Sequence, residues 1–292
     1  MRDFVQAVII GVLTGGVYAL MASGQTLIFG IMKVVNLAQG ALVIVGAFLS
    51  YTLLVQFGLD PFLSILITTP ALFLIGVVIQ LAFLRPLRSD DAAEMSLLVT
   101  FAVALGIEGV LTLVYKTNYR AIKTGYVNDS FDIWGYRIGA VRLYAFILSI
   151  VALVSLYLVL ERTRLGRAIR ATVQNPTSAL LLGVDSRRVA AVGFGLGAAT
   201  AAAAGAVFGL VYAFNPNSHY DLISRLLSIV ILGGLGSIGG AVVGALVMGV
   251  ASSLVSVFGS PVWSDFTFFG VLLVVLLLRP QGLFGATLRG AS

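Results

Sequence analysis

A few polar side chains stand inside the long apolar runs of this 292-residue chain, and they are the first candidates for chemistry. Glu108 lies within the segment LGIEGVL, where an ionisable side chain costs about 3 kcal/mol if it faces lipid. Such an acid either binds a substrate amine or is hydrogen-bonded to a neighbouring helix, and both alternatives stay open. The apolar runs offer no second acid by this reading, which argues against a proton-coupled carrier but not against a sodium-coupled one.

Two amides and one hydroxyl are the other polar candidates. Asn36 and Gln39 interrupt the apolar stretch KVVNLAQGALVIVGAF, and Ser228 precedes a Gly-rich stretch in the second half of the chain. Polar groups without partners are costly in lipid, so these side chains must face protein or water. They either hydrogen-bond the exposed backbone of a helix break or line the path of a polar solute. Together with Glu108, they form the predicted solute path.

Several classes of site are excluded by residue content. The chain has no cysteine and a single histidine, His219, which excludes thiol chemistry and His-rich metal sites. A phosphate-binding loop needs Gly-Lys followed by Ser or Thr, and no lysine of this chain follows a glycine. Asp90, Asp91 and Glu94 lie in a short loop beside arginines and are interpreted as solvated charges. The sequence therefore predicts a protein that is not an enzyme and holds no metal or cofactor.

Composition indicates that the polar candidates sit in a membrane protein. The chain is 59% hydrophobic and only 10% charged, whereas a soluble domain carries about 25% charged residues. The net charge of +6 is spread over the loops, which is typical of membrane topology and argues against a nucleic-acid partner. Most of the apolar runs are long enough to cross a bilayer. They cover residues 5–31, 34–57, 62–84, 95–115, 143–160, 189–214, 223–258 and 262–278.

Two of these runs are expected to be broken. A tight break is predicted from Lys33 to Gly40, and the run 223–258 is too long for one span and rich in glycine. We divide that run into a short segment at 223–235 and a full span at 240–258. Broken helices are tolerated at membrane depth only where they are buried in protein or line a cavity. The predicted fold is all-α, a single polytopic transmembrane helical bundle over 1–292 with eight or nine membrane segments.

The loop 161–188 is predicted to contain two short helices. Its first part is amphipathic, with arginines on one face and apolar residues on the other. Asn175 is a good N-cap for a second helix that begins at Pro176 and ends at Gly183, and Asp185 or Ser186 can cap the next span. The amphipathic helix either rests on the inner leaflet or inserts its apolar residues into a groove of a cytosolic partner. Its key residues are Arg164, Leu165, Gly166, Arg167, Ile169 and Val173.

The distribution of basic residues suggests an orientation. Loop 116–142 carries five Lys or Arg and loop 161–188 carries six, which decides nothing by itself. With nine crossings and loop 161–188 inside, eleven of the eighteen basic residues are cytoplasmic. The positive-inside rule then favours an outside N-terminus and a cytoplasmic C-terminus.

Four sequence blocks resemble the branched-chain amino acid permeases of ATP-binding-cassette importers, and most of all the first of the two paired permeases. They follow the family order and span nearly the whole chain. The blocks are GVYALMASGQTLIFGIMKVVNLAQGALVIVG (Gly16 to Gly46), TRLGRAIRATVQNPTSALLLGVD (Thr163 to Asp185), VILGGLGSIGGAVVGALVMGV (Val230 to Val250) and LRPQGLFG (Leu278 to Gly285).

This resemblance implies partners and a location. It implies a second permease subunit, two cytosolic ATPase subunits that bind the ATP, and an extracytoplasmic solute-binding protein, all assembled at a bacterial-type inner membrane. It also implies that 163–185 carries the coupling helix to the ATPase, and that this loop and the C-terminus are cytoplasmic.

Two positions depart from the family pattern. Gln39 stands where the family commonly has His, and Leu37 stands where it commonly has Phe. If this region contacts substrate, leucine-like specificity is in question, since related permeases serve urea, short amides and simple sugars. The sequence therefore predicts a permease that moves branched-chain amino acids or a similar small polar solute inward by alternating access. The alternatives are a carrier driven by an ion gradient and a passive channel.

Overall fold

The computed structural model describes residues 1–87, 92–127, 129–133, 135–279 and 282–284. Asp90 and Asp91 of the predicted acidic loop lie outside this range, whereas Glu94 lies exposed in the first turn of a helix. The helices, in chain order, are α1 (Arg2–Met32), α2 (Gln39–Phe57), α3 (Pro61–Ile79, continued by a π-helix over Gln80–Leu84), α4 (Ala92–Tyr115), α5 (Ala140–Arg162), α6 (Arg164–Gln174), α7 (Pro176–Leu181), α8 (Ser186–Val211), α9 (His219–Gly233), α10 (Ile238–Phe258) and α11 (Pro261–Leu278).

The helices confirm the predicted polytopic bundle. Within the described residues, seven helices are long and apolar enough to cross a membrane, namely α1 to α5, α8 and α10. A shorter apolar helix, Val262–Leu278, forms most of α11, and α9 has only 15 residues. Both predicted breaks are present, since α2 begins at Gln39 and the run 223–258 is divided between α9 and α10. A small antiparallel hairpin, β1 (Ser130–Ile133) and β2 (Tyr136–Gly139), is an addition that the sequence did not indicate.

The centre of the bundle is built on small residues. Nearly all of α8 is buried, whereas α4 and α5 lie at the periphery with most of their surface exposed. A side chain on Gly46 of α2 would place its Cβ 2.8 Å from the Cα of Ala202 in α8. A side chain on Gly11 of α1 would place its Cβ 2.6 Å from the Cα of Val250 in α10. Glycine and alanine therefore let the backbones of these helices touch, as is usual where helices associate in lipid.

The long helix α1 separates the two polar loops. Near its start, the side chain of Gln6 donates to the carbonyl of Arg137 in the hairpin (2.6 Å). Near its end, Ile31 packs in one apolar cluster with Ile169 of α6. The hairpin strand β2 and the helix α6 therefore lie at opposite ends of the bundle.

A bond from Tyr126 ties the hairpin loop to the start of α3. The Tyr126 hydroxyl donates to the carboxylate of Asp60 (2.8 Å), which itself caps α3 through the backbone N–H of Phe62. Burial and this bond raise the pKa of Tyr126 to about 12, so the hydroxyl keeps its proton at neutral pH.

A short segment after α11 pairs with the end of α9. The backbone N–H groups of Leu283 and Phe284 donate to the carbonyls of Leu232 (2.8 Å) and Gly233 (3.3 Å). Gly282 has a φ of 77°, and a Cβ there would lie 2.5 Å from the carbonyl oxygen of Ile231, so only glycine fits. These bonds satisfy carbonyls at a helix end that have no partner within the helix.

Candidate functional site

The first break is held by the two amides that the sequence singled out. Lys33 closes α1 in a left-handed conformation with φ of 56°, and α2 begins at Gln39. The Asn36 side chain accepts a hydrogen bond from the backbone N–H of Ala38 (3.1 Å) and donates one to the side-chain oxygen of Gln39 (3.3 Å). Gln39 in turn donates to the carbonyl of Gly197 in α8 (3.1 Å). Both amide side chains are fully buried, so the hydrogen bonds of the bracing alternative are formed, while a role of Asn36 and Gln39 in the solute path stays a prediction.

Neighbouring helices close this break from two further sides. The hydroxyl of Thr100 in α4 accepts a hydrogen bond from the backbone N–H of Leu37 (3.1 Å). On α1, a Cβ on Gly24 would lie 2.8 Å from the side-chain nitrogen of Gln39, so the glycine makes room for the amide. Polar groups of the break thus bond to α4 and α8, and α1 packs closely against them at Gly24.

The start of α2 meets the start of α9. A Cβ on Gly40 would lie 2.6 Å from the carbonyl oxygen of His219 and 3.2 Å from the Cβ of Ile223. Each start follows a stretch without α-helix, 33–38 before α2 and 212–218 before α9. Discontinuous helices in both halves of a carrier commonly frame its transport site, with their positive N-terminal ends directed towards it.

Glu108 is joined to the first turn of α9. The Tyr220 hydroxyl donates to the Glu108 carboxylate (2.9 Å), and the same oxygen lies 3.7 Å from Nε2 of His219. Nδ1 of His219 lies 3.0 Å from the carbonyl of Pro216, and the imidazole is 2% exposed. The hydrogen bond to a neighbouring helix is therefore formed, while the role of Glu108 towards a substrate amine stays a prediction.

A second ionised cluster lies where α1, α9 and α11 meet, and the sequence analysis missed it. Arg225 of α9 donates to the Tyr18 hydroxyl (2.7 Å) and to the carboxylate of Asp265 (2.5 Å), and its guanidinium lies 5.6 Å from the ring centre of Phe268. The expectation that the apolar runs hold no second acid is wrong, because Asp265 lies inside α11 and is paired with an arginine from another helix. The missed signal was one acid in 262–278 and one arginine in 223–235.

Ser228 stays apart from the other three predicted path residues. Its hydroxyl donates to the carbonyl of Ser224 within α9 (3.0 Å), and the side chain is buried. The structure thus brings Asn36 and Gln39 together and links Glu108 to them through the first turn of α9.

The amphipathic helix of the loop faces inward. Thr163 caps α6, Asn175 caps α7 and Asp185 caps α8, and Gly183 has a φ of 81°, so the predicted helix signals are confirmed. The apolar face of α6, however, packs against α1, α5 and α8 of the same chain, and Ile169 is 2% exposed.

This packing changes the expected use of α6. The expectation that its apolar face is free to insert into a partner is wrong for Ile169, because the chain's own spans already cover it. Gly166 is buried against the last turn of α5 at Leu160, and Leu165 and Val173 are partly buried. Arg164 and Arg167 are exposed on the opposite side.

The short helix α7 carries the exposed apolar residues of this loop. Leu180, Leu181 and Leu182 are all exposed, and Leu181 is 84% exposed. Three exposed leucines in a row between polar segments are typical of a contact surface.

An apolar cavity of about 640 Å³ lies beside α6, between α1, α5 and the start of α10. Glu161 and Arg170, which form an ion pair, and Gln174 are among its lining residues. None of the four predicted path residues lines this cavity. It is therefore separate from the polar groups gathered around α9.

Comparison with known proteins yields one family and full-length relatives. Residues 7–277 match the family described as "Branched-chain amino acid transport system / permease component". The high-affinity branched-chain amino acid transport system permease protein BraD of Pseudomonas aeruginosa is 31% identical, covering 97% of this chain and 96% of that protein. The probable branched-chain amino acid transport permease protein LivH of Methanocaldococcus jannaschii is 30% identical over 91% and 88%. The corresponding LivH of Escherichia coli is 28% identical over 97% and 96%.

Proposed function

Because the chain belongs to the family of branched-chain amino acid transport permeases, we propose that it is the membrane-embedded permease of an ATP-driven importer. The proposed solute is a branched-chain amino acid or a similar small polar molecule, such as urea or a short amide, carried across the inner membrane. The observation that carries this proposal is the similarity to BraD along 97% of the chain. The seven candidate spans and the paired broken helices support a transport role.

The proposed assembly contains a second permease subunit, two cytosolic ATPase subunits and an extracytoplasmic solute-binding protein. ATP is bound and hydrolysed by the ATPase subunits, since this sequence has no Gly-Lys phosphate loop. The permease itself then holds no cofactor and catalyses no reaction. Exposed apolar side chains on α3, α4, α5 and α11 suit contact with lipid and with the second permease.

The proposed orientation puts loop 161–188 and the C-terminus in the cytoplasm and the N-terminus outside. Support comes from α1, which has the hairpin loop at one end and α6 at the other. Residues 282–284 pair with the end of α9, close to Ile238, which packs in the α6 cluster. Since the chain is free of cysteine, single cysteines at Thr177 and Tyr119 should be labelled from opposite sides of the membrane. Labelling of both from one side would contradict this orientation.

The proposed coupling element is the pair α6 and α7. The buried half of α6, with Leu165, Gly166, Ile169 and Val173, ties the loop to α1, α5 and α8 and transmits movement. The exposed half, with Arg164 and Arg167, and the leucines of α7 contact the ATPase. Apolar residues buried at the centre dominate such contacts while rim charges add little, so α7 supplies most of the binding energy.

Co-purification tests the coupling element. Leu181→Asp should lose the ATPase, because the change places a charge in the apolar contact, while the permease stays folded because Leu181 is 84% exposed. Arg167→Ala is the matched control on the same loop and should retain most of the ATPase. Full retention of the ATPase by Leu181→Asp would contradict the assigned contact.

Uptake in reconstituted vesicles tests the function as a whole. We expect accumulation of leucine by vesicles that contain the permease pair, the ATPase subunits and the binding protein. It should occur only when ATP is present on the side of the membrane that carries the ATPase subunits. Uptake driven by a sodium or proton gradient without the ATPase would favour the ion-coupled carrier. Equilibration down the gradient without any energy source would favour the passive channel.

A further inference from the structure

The helix α9 presents a polar face on the outside of the bundle. Leu222, Leu226 and Ile229 are buried against its neighbours, whereas Asp221, one turn before Arg225 on the same side, is exposed. Ser224 and Arg225 are partly exposed on this side. The helix packs against α1, α2 and α10, which are long enough to cross the membrane, so its polar face lies at the depth of the membrane spans.

This face is extended by Asp265 from α11. Its carboxylate bonds to Arg225 yet the side chain is 64% exposed. Tyr18, which accepts the other bond of the guanidinium, lies near the middle of the long helix α1. Charged side chains at such depth face the interior of an assembly or a water-filled space rather than lipid. An exposed ion pair here therefore suits a surface that borders water or another subunit rather than lipid.

Arg225 has N–H donors beyond those that it uses in the pair. Arg225 uses two of its five N–H donors in the bonds to Tyr18 and Asp265, and the planar guanidinium can hold a carboxylate through two parallel bonds. Because Arg225 and Asp265 stand on different helices, a relative shift of α9 and α11 separates them. The carboxylate of a zwitterion would then replace that of Asp265 on the arginine, and its ammonium group would pair with the freed aspartate. No charge is left unpaired in this exchange, which a neutral solute does not achieve.

We propose that the Arg225–Asp265 pair is the binding site in the translocation path for the charged ammonium and carboxylate groups of a zwitterionic amino acid. This inference rests on the proposed function. Arg225 receives the carboxylate, held in place by Tyr18 and the ring of Phe268, and Asp265 receives the ammonium group. The site selects amino acids over urea, short amides and simple sugars. It therefore bears directly on the specificity that the departures at Leu37 and Gln39 put in question.

The test measures uptake of radiolabelled leucine and of urea by the complete reconstituted transporter. Arg225→Gln should lower the leucine uptake per folded transporter at least about tenfold, since two charge-assisted bonds to the carboxylate are lost. Arg225→Lys should lower it less, because the charge remains but the bidentate fork is lost. The matched control is Arg120→Gln, which removes an arginine that likewise bonds a tyrosine hydroxyl (Tyr51, 2.9 Å) and lies against its ring, but outside this face. Leucine uptake by this control should stay near that of the wild type.

The double variant Arg225→Gln with Asp265→Asn separates binding from structure. It leaves no unpaired charge, so a merely structural ion pair predicts that uptake recovers, whereas a binding site predicts that uptake stays as low as in Arg225→Gln. Recovery in the double variant, with leucine uptake by the wild type intact, would overturn this inference and leave the importer function standing. ATP-driven uptake of urea but not leucine by the wild type would overturn the zwitterion site as well. Absence of any ATP-driven uptake would instead remove the importer function, and the site with it.

Discussion

Two stretches without α-helix, here called the first break (33–38, before α2) and the second break (212–218, before α9), lead into helix starts that meet at Gly40. They differ in where their polar groups lie. At the first break, Asn36 and Gln39 are fully buried and bonded to each other and to the backbone. At the second, α9 begins with a buried His219 but continues with Tyr220, which is 40% exposed, and with the half-exposed face around Arg225. The polar side chains of the first break are therefore buried and bonded within the chain. Those that follow the second break are partly exposed at the surface of the bundle.

The comparison shows that a polar residue in a membrane break is not by itself a solute contact. A buried amide whose donors and acceptors are all met stabilises the break, and replacing it should act on folding. An exposed ion pair at membrane depth, such as Arg225 with Asp265, faces water or another subunit rather than lipid, and replacing it should act on transport. Four comparisons of variants test this division, in order of expected effect.

Gly40→Val should be the most damaging change, because both breaks meet at this residue. The added Cβ would lie 2.6 Å from the carbonyl oxygen of His219, so the starts of α2 and α9 must separate. We expect a loss of about 3 kcal/mol in the free energy of unfolding in detergent. Gly106→Val is the control, since no atom lies within 4 Å of a Cβ there. Equal stability of the two variants would show that the breaks do not meet.

Gln39→Leu should destabilise the protein by about 2 kcal/mol, since it leaves the buried side-chain NH2 of Asn36 without its acceptor and removes one of the bonds to the carbonyl of Gly197, which keeps its bond from Thr200. Thermal unfolding of the purified permease measures the effect, and Gln174→Leu on the exposed end of α6 should be neutral. Unchanged stability combined with lost uptake would show that the first break contacts the solute. The proposed difference between the two breaks would then be wrong.

The asparagines that open the two breaks offer a matched pair. Asn36→Ala should cost about 1.5 kcal/mol, because it strips a buried bond from Ala38 and another from Gln39. Asn215→Ala removes a partly exposed capping bond with Ser218 and should cost about 0.5–1 kcal/mol. The difference in unfolding free energy is the measurement, and a larger loss at Asn215 would reverse the roles of the breaks.

Tyr220→Phe should have the smallest effect on stability, about 0.5 kcal/mol, because the bond it removes from Glu108 is partly exposed to solvent. Tyr157→Phe, also exposed, is the control on a peripheral helix. A loss as large as that of Gln39→Leu would mean that the second break is as closed as the first.

Local signals in the sequence predicted the elements well. The break at Lys33, the division of 223–258, and the caps at Asn175 and Asp185 all depend on residues within a few positions of each other. Such features follow from backbone conformation and capping bonds, which need no knowledge of distant contacts.

Features that depend on distant contacts were not predictable in this way. Periodicity identified the apolar face of α6 but not that α1, α5 and α8 cover Ile169. The pairing of Arg225 with Asp265 joins two helices separated by the whole of α10. Likewise, the meeting of Gly40 with His219 depends on how the two halves of the chain pack.

The segment that pairs with the end of α9 has a consequence for biogenesis. The carbonyls of Leu232 and Gly233 receive their hydrogen bonds from Leu283 and Phe284, which leave the ribosome only after α10 and α11 have been made. Until then, the carbonyls at the end of α9 lack these hydrogen-bond partners. The helix therefore cannot reach its final hydrogen-bonded position when it first enters the bilayer. The helix that carries Arg225 is therefore among the last elements to complete its hydrogen bonds during synthesis. Its polar face reaches its final position only after α10 and α11 have been made.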